Sequence, residues 1–337
     1  RIGAEKLKNV KLITKKDVAA KLSMDLALQS VQAVYQAHYE HQVVMPAKIT
    51  LDLGEGTEWP PYGGSYNAMP AYIGGEIDES GMKWVWGFND NHAKGLPYIG
   101  GIILLNDPHT GELQAVMDGS YITDIRTGAT AGLAGKLFKK NTAATVAIIG
   151  AGVIGKMSLR ALKQVMPLTK VYVSDINPEA SRLFATEMAD ELEIEIEMTD
   201  NQTACRAADV IITATIATQP LVMKAWLQPG TTVISMGSFQ ELDPEIPVTA
   251  DKLVVDTWEQ NKHRGELLPL VKSGKITAKN IYAELPEIIG GAKTARTDEQ
   301  EIICVCIIGM GSTDIGVASE LYLQFFKDGD YPTFDFR

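Results

Sequence analysis

The stretch Val146-Ala147-Ile148-Ile149-Gly150-Ala151-Gly152-Val153-Ile154-Gly155 constrains the fold most, because an apolar strand-like run breaks abruptly into a G-x-G-x-x-G turn. A helix is expected directly after it. In such a strand–turn–helix the first glycine makes the tight turn, the second lets backbone approach a pyrophosphate, and the third lets helix pack close on strand. The helix start offers free N–H groups and the positive end of its dipole to phosphate oxygens. The glycine pattern alone is weak. Asp175 strengthens it, ending the next apolar run 20 residues after Gly155. A carboxylate there hydrogen-bonds both ribose hydroxyls of NAD and repels the 2′-phosphate of NADP, and Ile176-Asn177 supply no arginine to hold such a phosphate. NAD is therefore the expected cofactor.

From this turn onward, short apolar runs alternate with amphipathic stretches: Thr145–Ile149, Val171–Ser174, Val210–Ala214, Thr232–Met236 and Leu253–Val255. Such alternation builds a parallel, doubly wound sheet. The pattern upstream differs. Residues 14–41 read as one helix, with Val18, Leu22, Leu26, Ser30, Val34 and Ala37 at helical spacing and Thr14 with Asp17 as its cap. Five strand-like runs follow, Lys48–Leu53, Asn67–Ile73, Met82–Phe88, Tyr98–Asn106 and Leu113–Gly119, separated by Gly/Pro-rich or short polar breaks. Their succession predicts an antiparallel or mixed sheet. A helix from about Thr123 to Phe138 is crowded with Ala and Gly, so something must pack closely on it. A last strand, Ile302–Ile308, precedes a helix from Thr313 to about Phe326. The expected fold class is α/β: a Rossmann doubly wound parallel sheet over residues 126–312, plus an N-terminal α+β domain over residues 1–125 that residues 313–337 complete.

A net charge of −11 and a pI near 5.0 argue against nucleic acid, which demands a basic stripe. No apolar run reaches the length of a membrane span, and the start has no signal-peptide pattern. Three cysteines, Cys205, Cys304 and Cys306, form no C-x-x-C and suit a reducing cytoplasm. Cys304 and Cys306, two apart in a strand-like run, share a face and read as buried small hydrophobes.

Three cations are candidates for chemistry. Lys83, in Gly81-Met82-Lys83-Trp84-Val85-Trp86, sits among bulky apolar neighbours that would desolvate it and lower its pKa, as a general acid/base requires. The alternative is a lysine on the wet face of a sheet. Arg126 is expected in the first turn of its helix, where the dipole disfavours it unless an anion is bound; the alternative is an ion pair with Asp118 or Asp124. Lys48 is expected to open the first strand, alternating with Thr50 and Asp52. Together they suggest a small acidic substrate. His38 and His41 could share a metal but lack partners beyond Glu40, so no metal is expected. His263, in Lys262-His263-Arg264-Gly265-Glu266, reads as a helix-end or interface feature as readily as a site.

Several runs carry a family resemblance: Asn67-Ala68-Met69-Pro70-Ala71-Tyr72, Gly81-Met82-Lys83-Trp84, Lys94-Gly95-Leu96-Pro97, Asn106-Asp107-Pro108-His109-Thr110-Gly111, Asp118-Gly119-Ser120-Tyr121-Ile122-Thr123, Arg126-Thr127-Gly128-Ala129, His263-Arg264-Gly265-Glu266 and Gly311-Ser312-Thr313-Asp314. With the glycine turn, they make the chain resemble the ornithine cyclodeaminase/mu-crystallin family over nearly its whole length, and within it the archaeal-type alanine dehydrogenase branch. The resemblance implies a homodimer whose N-terminal substrate-binding domains pair, and NAD(P)-linked chemistry at an amino-acid α-carbon. By matching motif, Lys48, Lys83 and Arg126 would grip the substrate carboxylate or assist proton transfer.

Two positions depart from the cyclodeaminases. Gly237-Ser238-Phe239-Gln240-Glu241-Leu242-Asp243 has no aspartate where they carry one for the substrate amine. Asn67 stands where they have a glutamate and the alanine dehydrogenase branch an arginine. Neither acid suited to a diamine is present. The expectation is an NAD-dependent oxidoreductase interconverting a small α-amino acid and its imino or oxo acid, with ornithine cyclodeaminase or a nucleotide-retaining binding protein as alternatives. Lys83 is the expected catalytic residue, with Lys48, Asn67 and Arg126 on the substrate. Gly150, Gly152, Val153, Ile154, Gly155, Asp175, Thr215 and Asp314 are expected on the cofactor.

Overall fold

The computed structural model describes residues 9–336, which divide into two compact units, residues 9–126 with 310–336 and residues 127–309. The first unit opens with strand β1 (Val10–Ile13) and helix α1 (Lys15–Lys21). Thr14 and Asp17 form a capping box at its start. The single long helix expected here is two. Ser23 Oγ accepts from Leu26 N at 3.1 Å and starts α2 (Met24–Tyr39) afresh, so a cap interrupts an unbroken apolar stripe. Strands β2 (Val43–Val44), β3 (Ile49–Leu53), β4 (Gly64–Ile73), β5 (Glu79–Phe88), β6 (Ile99–Asn106) and β7 (Leu113–Asp118) follow. Helix α3 spans Ser120–Phe138, three residues longer at its start than expected, because Asp118 Oδ2 accepts from Tyr121 N at 2.9 Å.

The second unit carries β8 (Thr145–Ile149), α4 (Val153–Val165), β9 (Lys170–Ser174), α5 (Pro178–Leu192), β10 (Glu195–Met198), α6 (Asn201–Ala207), β11 (Val210–Thr213), β12 (Thr232–Met236), α7 (Glu245–Thr249), β13 (Lys252–Val255), α8 (Trp258–Asn261), α9 (Leu268–Lys272), β14 (Ala283–Glu284), α10 (Leu285–Ile289) and β15 (Ile303–Ile307). All eight strands run parallel in the order β10-β9-β8-β11-β12-β15-β13-β14. Strands β11, β12, β13 and β15 are buried throughout, as a sheet covered on both faces requires. Cys304 and Cys306 lie buried in β15. From β8 the chain winds out to β9 and β10, then returns to β11 on the other side. That reversal opens a crevice at the carboxyl ends of β8 and β11, where doubly wound sheets bind ligands. The Ala/Gly crowding of α3 has its cause here: a Cβ at Gly128 would lie 2.5 Å from the Met157 backbone, and one at Gly132 2.6 Å from the Ala161 side chain, so α3 packs directly on α4.

The chain then returns to the first unit with α11 (Gly311–Leu321), continued by a π-turn over Tyr322–Phe326, and β16 (Thr333–Phe334). The N-terminal sheet is mixed, ordered β16-β1-β7-β6-β5-β4-β2 with β3 also on β4; β1 and β7 pair in parallel, and the other strand pairs among the described residues are antiparallel. Strands β1, β2, β10, β14 and β16 had no sequence expectation. They are two to four residues long, and pairing rather than pattern makes them strands. Met69, Lys83, Ile103 and Met117 are cross-strand partners in one row, all buried on the face that α11 covers. Tyr66, Trp84 and Trp86 alternate onto the opposite face, where Tyr66 stacks on Trp84 at 5.2 Å.

Candidate functional site

Lys83 is 1% exposed and lies on the inner face of the N-terminal sheet. Its tryptophan neighbours do not desolvate it, since alternation sends them outward; Met69, Ile103 and the overlying α11 do. Its Nζ stands 2.7 Å from Asp314 Oδ2 and 3.4 Å from Thr123 Oγ1. Arg126 donates from Nε to the other oxygen of the same carboxylate, Asp314 Oδ1, at 2.9 Å. It occupies the second turn of α3, away from the unfavourable dipole end, and this partner is neither Asp118 nor Asp124. Burial pushes Lys83 down to about 8; Asp314 opposes that fall and Arg126 adds to it. Burial also drives Asp314 upward, but Arg126 and Lys83 outweigh it and hold the carboxyl below its ordinary range. Asp124 is raised to about 6 by burial. Two cations around one carboxylate leave the ionic centre one positive charge in excess, which is what a single incoming carboxylate needs.

The other N-terminal candidates lie around this centre. Asn67 is one pair along β4 from Met69, on the face that Lys83 occupies, and accepts from Thr50 Oγ1 at 2.7 Å. Lys48 is half-buried and precedes β3 rather than opening it. His38 pairs through Nε2 with Ser312 Oγ at 2.8 Å, and burial lowers it to about 4, so it is a neutral partner of the α11 start. His41 has φ 58° just past the end of α2.

In the second unit, Gly150 takes φ 108°, and a Cβ there would meet Ala214 O at 2.5 Å and Thr215 Cγ2 at 2.8 Å. A Cβ at Gly155 would drive into Gly150 O, whereas Gly152 faces open space. The turn thus packs on its protein side and is bare on its outer side. Gly152 caps α4 without any side-chain hydrogen bond, leaving the first N–H groups at Val153 and Ile154 for a ligand. Asp175 accepts from Ala151 N and Asn177 N, each at 2.8 Å, tying the acid to the glycine turn. Thr215 N donates to Glu241 Oε1 at 2.7 Å.

Two buried glutamates had no expected part. Glu241 also accepts from Thr213 Oγ1 at 2.9 Å, and Glu266 accepts from Glu241 N at 2.9 Å and Leu242 N at 3.1 Å. Burial raises each to about 7. They brace the loops after β11 and β12 that border the crevice. Glu266 belongs to the run with His263, which is itself exposed, while Arg264 donates to Ser238 Oγ at 2.9 Å. Among the described residues no cluster of His, Cys, Asp or Glu is placed to hold a metal, and no helix is long and apolar enough to cross a membrane.

The family model for the ornithine cyclodeaminase/mu-crystallin family matches residues 8–327. Alanine dehydrogenase from Archaeoglobus fulgidus is 32% identical over 316 residues, covering 92% of this chain and 94% of that protein. The structure of Delta(1)-pyrroline-2-carboxylate reductase from Thermococcus litoralis, in complex with NADH and L-proline, is similar with a TM-score of 0.88 at 32% identity, covering 93% of this chain and 97% of that one. An archaeal alanine dehydrogenase dimer with bound NAD is similar with a TM-score of 0.87 at 32% identity, covering 94% and 96%.

Proposed function

Because the chain belongs to the ornithine cyclodeaminase/mu-crystallin family, we propose that it is an NAD(H)-dependent oxidoreductase interconverting a small α-amino acid and its imino or oxo acid. The observation that carries this reading is the buried centre of Lys83, Arg126 and Asp314, an anion-seeking group with one lysine brought into the range of a working acid/base. The glycine turn fits a dinucleotide: its outer side is open at Gly152, and the N–H groups of Val153 and Ile154 stand free of side-chain caps. Gly150, Gly152, Val153, Ile154, Gly155, Asp175 and Thr215 would hold NAD, whose nicotinamide supplies the hydride acceptor or donor. Asp314, also expected on the cofactor, ion-pairs with Lys83 and Arg126.

Arg126 and Lys48 fix the substrate carboxylate, and Asn67 borders the side chain. Fixing that group restricts where the α-carbon can sit, which is much of what a hydride-transfer enzyme contributes. When a neutral imine is reduced, its nitrogen gains one proton as its carbon gains hydride. Lys83 supplies that proton as the ammonium and, in the oxidative direction, takes it back as the neutral amine.

A screen of amino acids with NAD, and of oxo acids with ammonia or preformed imino acids with NADH, tests the reading. A steady absorbance change at the nicotinamide band is expected, slower with NADPH because Asp175 repels its 2′-phosphate. Release of proline and ammonia from ornithine without net NADH would convert the assignment to a cyclodeaminase. Failure of every substrate despite tight NADH binding would leave only a binding protein.

The outward face of the N-terminal sheet supports a homodimer. Ile49 and Leu51 are 68% and 51% exposed there, beside half-buried Tyr66, Trp84, Trp86 and Ile102. A contiguous apolar face of this kind calls for cover. Sedimentation is expected to give about twice the 36.6 kDa chain mass; a monomer at micromolar concentration sinks this part of the reading.

A further inference from the structure

Stability alone gives little reason for the buried Lys83–Asp314–Arg126 centre. Taking three charges out of water is expensive, and well-packed apolar residues of similar volume generally serve stability as well. Its construction is nonetheless deliberate. Asp314 is the fourth residue of α11, and a short side chain reaches both cations only because that helix rides very close to the sheet. A Cβ at Gly311 would lie 2.9 Å from Met69 O, and one at Gly81 would lie 2.9 Å from Ile315 Cδ1 and 2.4 Å from Leu104 O. Small residues on both elements thus set the height at which the carboxylate meets Lys83 and Arg126. Thr123 Oγ1, which donates to Gly119 O at 2.6 Å, stands 3.4 Å from both Lys83 Nζ and Asp314 Oδ1.

We propose that Asp314 is the positioning residue of the acid/base lysine, holding the Lys83 ammonium charged and aimed while its second oxygen anchors Arg126. This rests on the reading of Lys83 as the proton donor. Three charged groups act on Lys83: Asp314 from α11, and Arg126 and Asp124 from α3. Arg126 cannot shed its charge and disfavours a second cation beside it. Asp124 is a secondary influence that itself titrates near 6. Asp314 is therefore the group that keeps a desolvated lysine able to give a proton at neutral pH.

The sign follows directly. Imine reduction needs protonated Lys83, so kcat/KM falls as pH rises through about 8 in the native enzyme. In Asp314→Asn the opposing charge is gone, and the falling limb is expected to move to lower pH by about one to three units. At pH 8, where native Lys83 is about half protonated, the rate drops about five- to five-hundredfold and recovers on acidification, a recovery that structural damage does not produce. Asp314→Glu, which keeps the charge but not the reach, is expected to lower kcat with the limb near its native position. NADH binding, followed by energy transfer from tryptophan, checks that each variant is folded. The substrate is the imino acid returned by the screen above. An unmoved limb in folded Asp314→Asn overturns the proposal. Should that variant not bind NADH, Asp314→Glu decides, and native kcat with a native limb overturns it. Lys83→Met separates the two ideas: undiminished turnover there defeats the acid/base reading itself, whereas a dead Lys83→Met with an unmoved Asp314→Asn limb defeats only the role of Asp314.

Discussion

Lys83→Ala is expected to cut turnover by about two to four orders of magnitude while NADH remains bound. The size follows from general acid/base catalysis, because no other group in the centre can replace the lost proton. Arg126 stays charged at every accessible pH, and Asp314 is held ionised by its two cations. The fold should survive the change. Asp314 keeps Arg126 as a partner at 2.9 Å, so its charge is not abandoned when the lysine goes. The vacated volume is lined by Met69 and Ile103, and a modest fall in melting temperature is expected from that cavity. Steady-state rates and an NADH titration on the same preparation make the measurement. Native activity in a folded variant would remove Lys83 from the mechanism.

Gly155→Ala carries the second large effect, on the cofactor instead of the substrate. The added methyl would run into the carbonyl oxygen of Gly150 and stand 3.0 Å from Ile148 Cγ2, so both obstacles belong to the strand and turn that shape the nucleotide seat. Backbone cannot step aside as a side-chain tip does. Helix α4 must lift, and its free N–H groups leave the positions that a pyrophosphate would use. Overpacking of this kind costs about 1–3 kcal/mol, which corresponds to roughly ten- to a hundredfold weaker NADH binding if it falls on the bound state. Calorimetric titration reads the affinity directly. At saturating NADH the catalytic rate should return close to native, because Lys83 and Arg126 belong to the other unit. Unchanged affinity would mean that the turn is not where the dinucleotide sits.

The sequence announced the nucleotide fold clearly, since each of Gly150, Gly152 and Gly155 answers a local geometric demand that a short stretch of chain already contains. The candidate site was legible only in parts. Burial of Lys83 was anticipated for the wrong reason: Trp84 and Trp86 are neighbours in sequence, but a strand places alternate residues on opposite faces. Nothing local reveals the ion pairs of Asp314, whose partners lie 188 residues away at Arg126 and farther still at Lys83. Only the docking of α11 on the sheet brings them together. Glu266 shows the same limit. Nothing in the run His263-Arg264-Gly265-Glu266 marks it out, yet it is 5% exposed and grips two backbone N–H groups. The Leu22-Ser23 break is masked in the sequence by an apolar spacing that runs on across it, from Val18 and Leu22 to Leu26 and Val34.

The return of Met310–Arg337 to the N-terminal unit also sets an order for folding during synthesis. Strands β3 to β7 are made well before the helix that covers their inner face, since α11 begins at Gly311 and β7 ends at Asp118. At about 5–20 residues per second, the intervening stretch takes on the order of ten seconds or more to translate. Throughout that interval Lys83 has no carboxylate from α11 and its sheet has one bare apolar side. Residues 127–309, contiguous in the chain, can form their core first. The unit that carries Lys83 is thus expected to complete its core after residues 127–309 do, once α11 has been made.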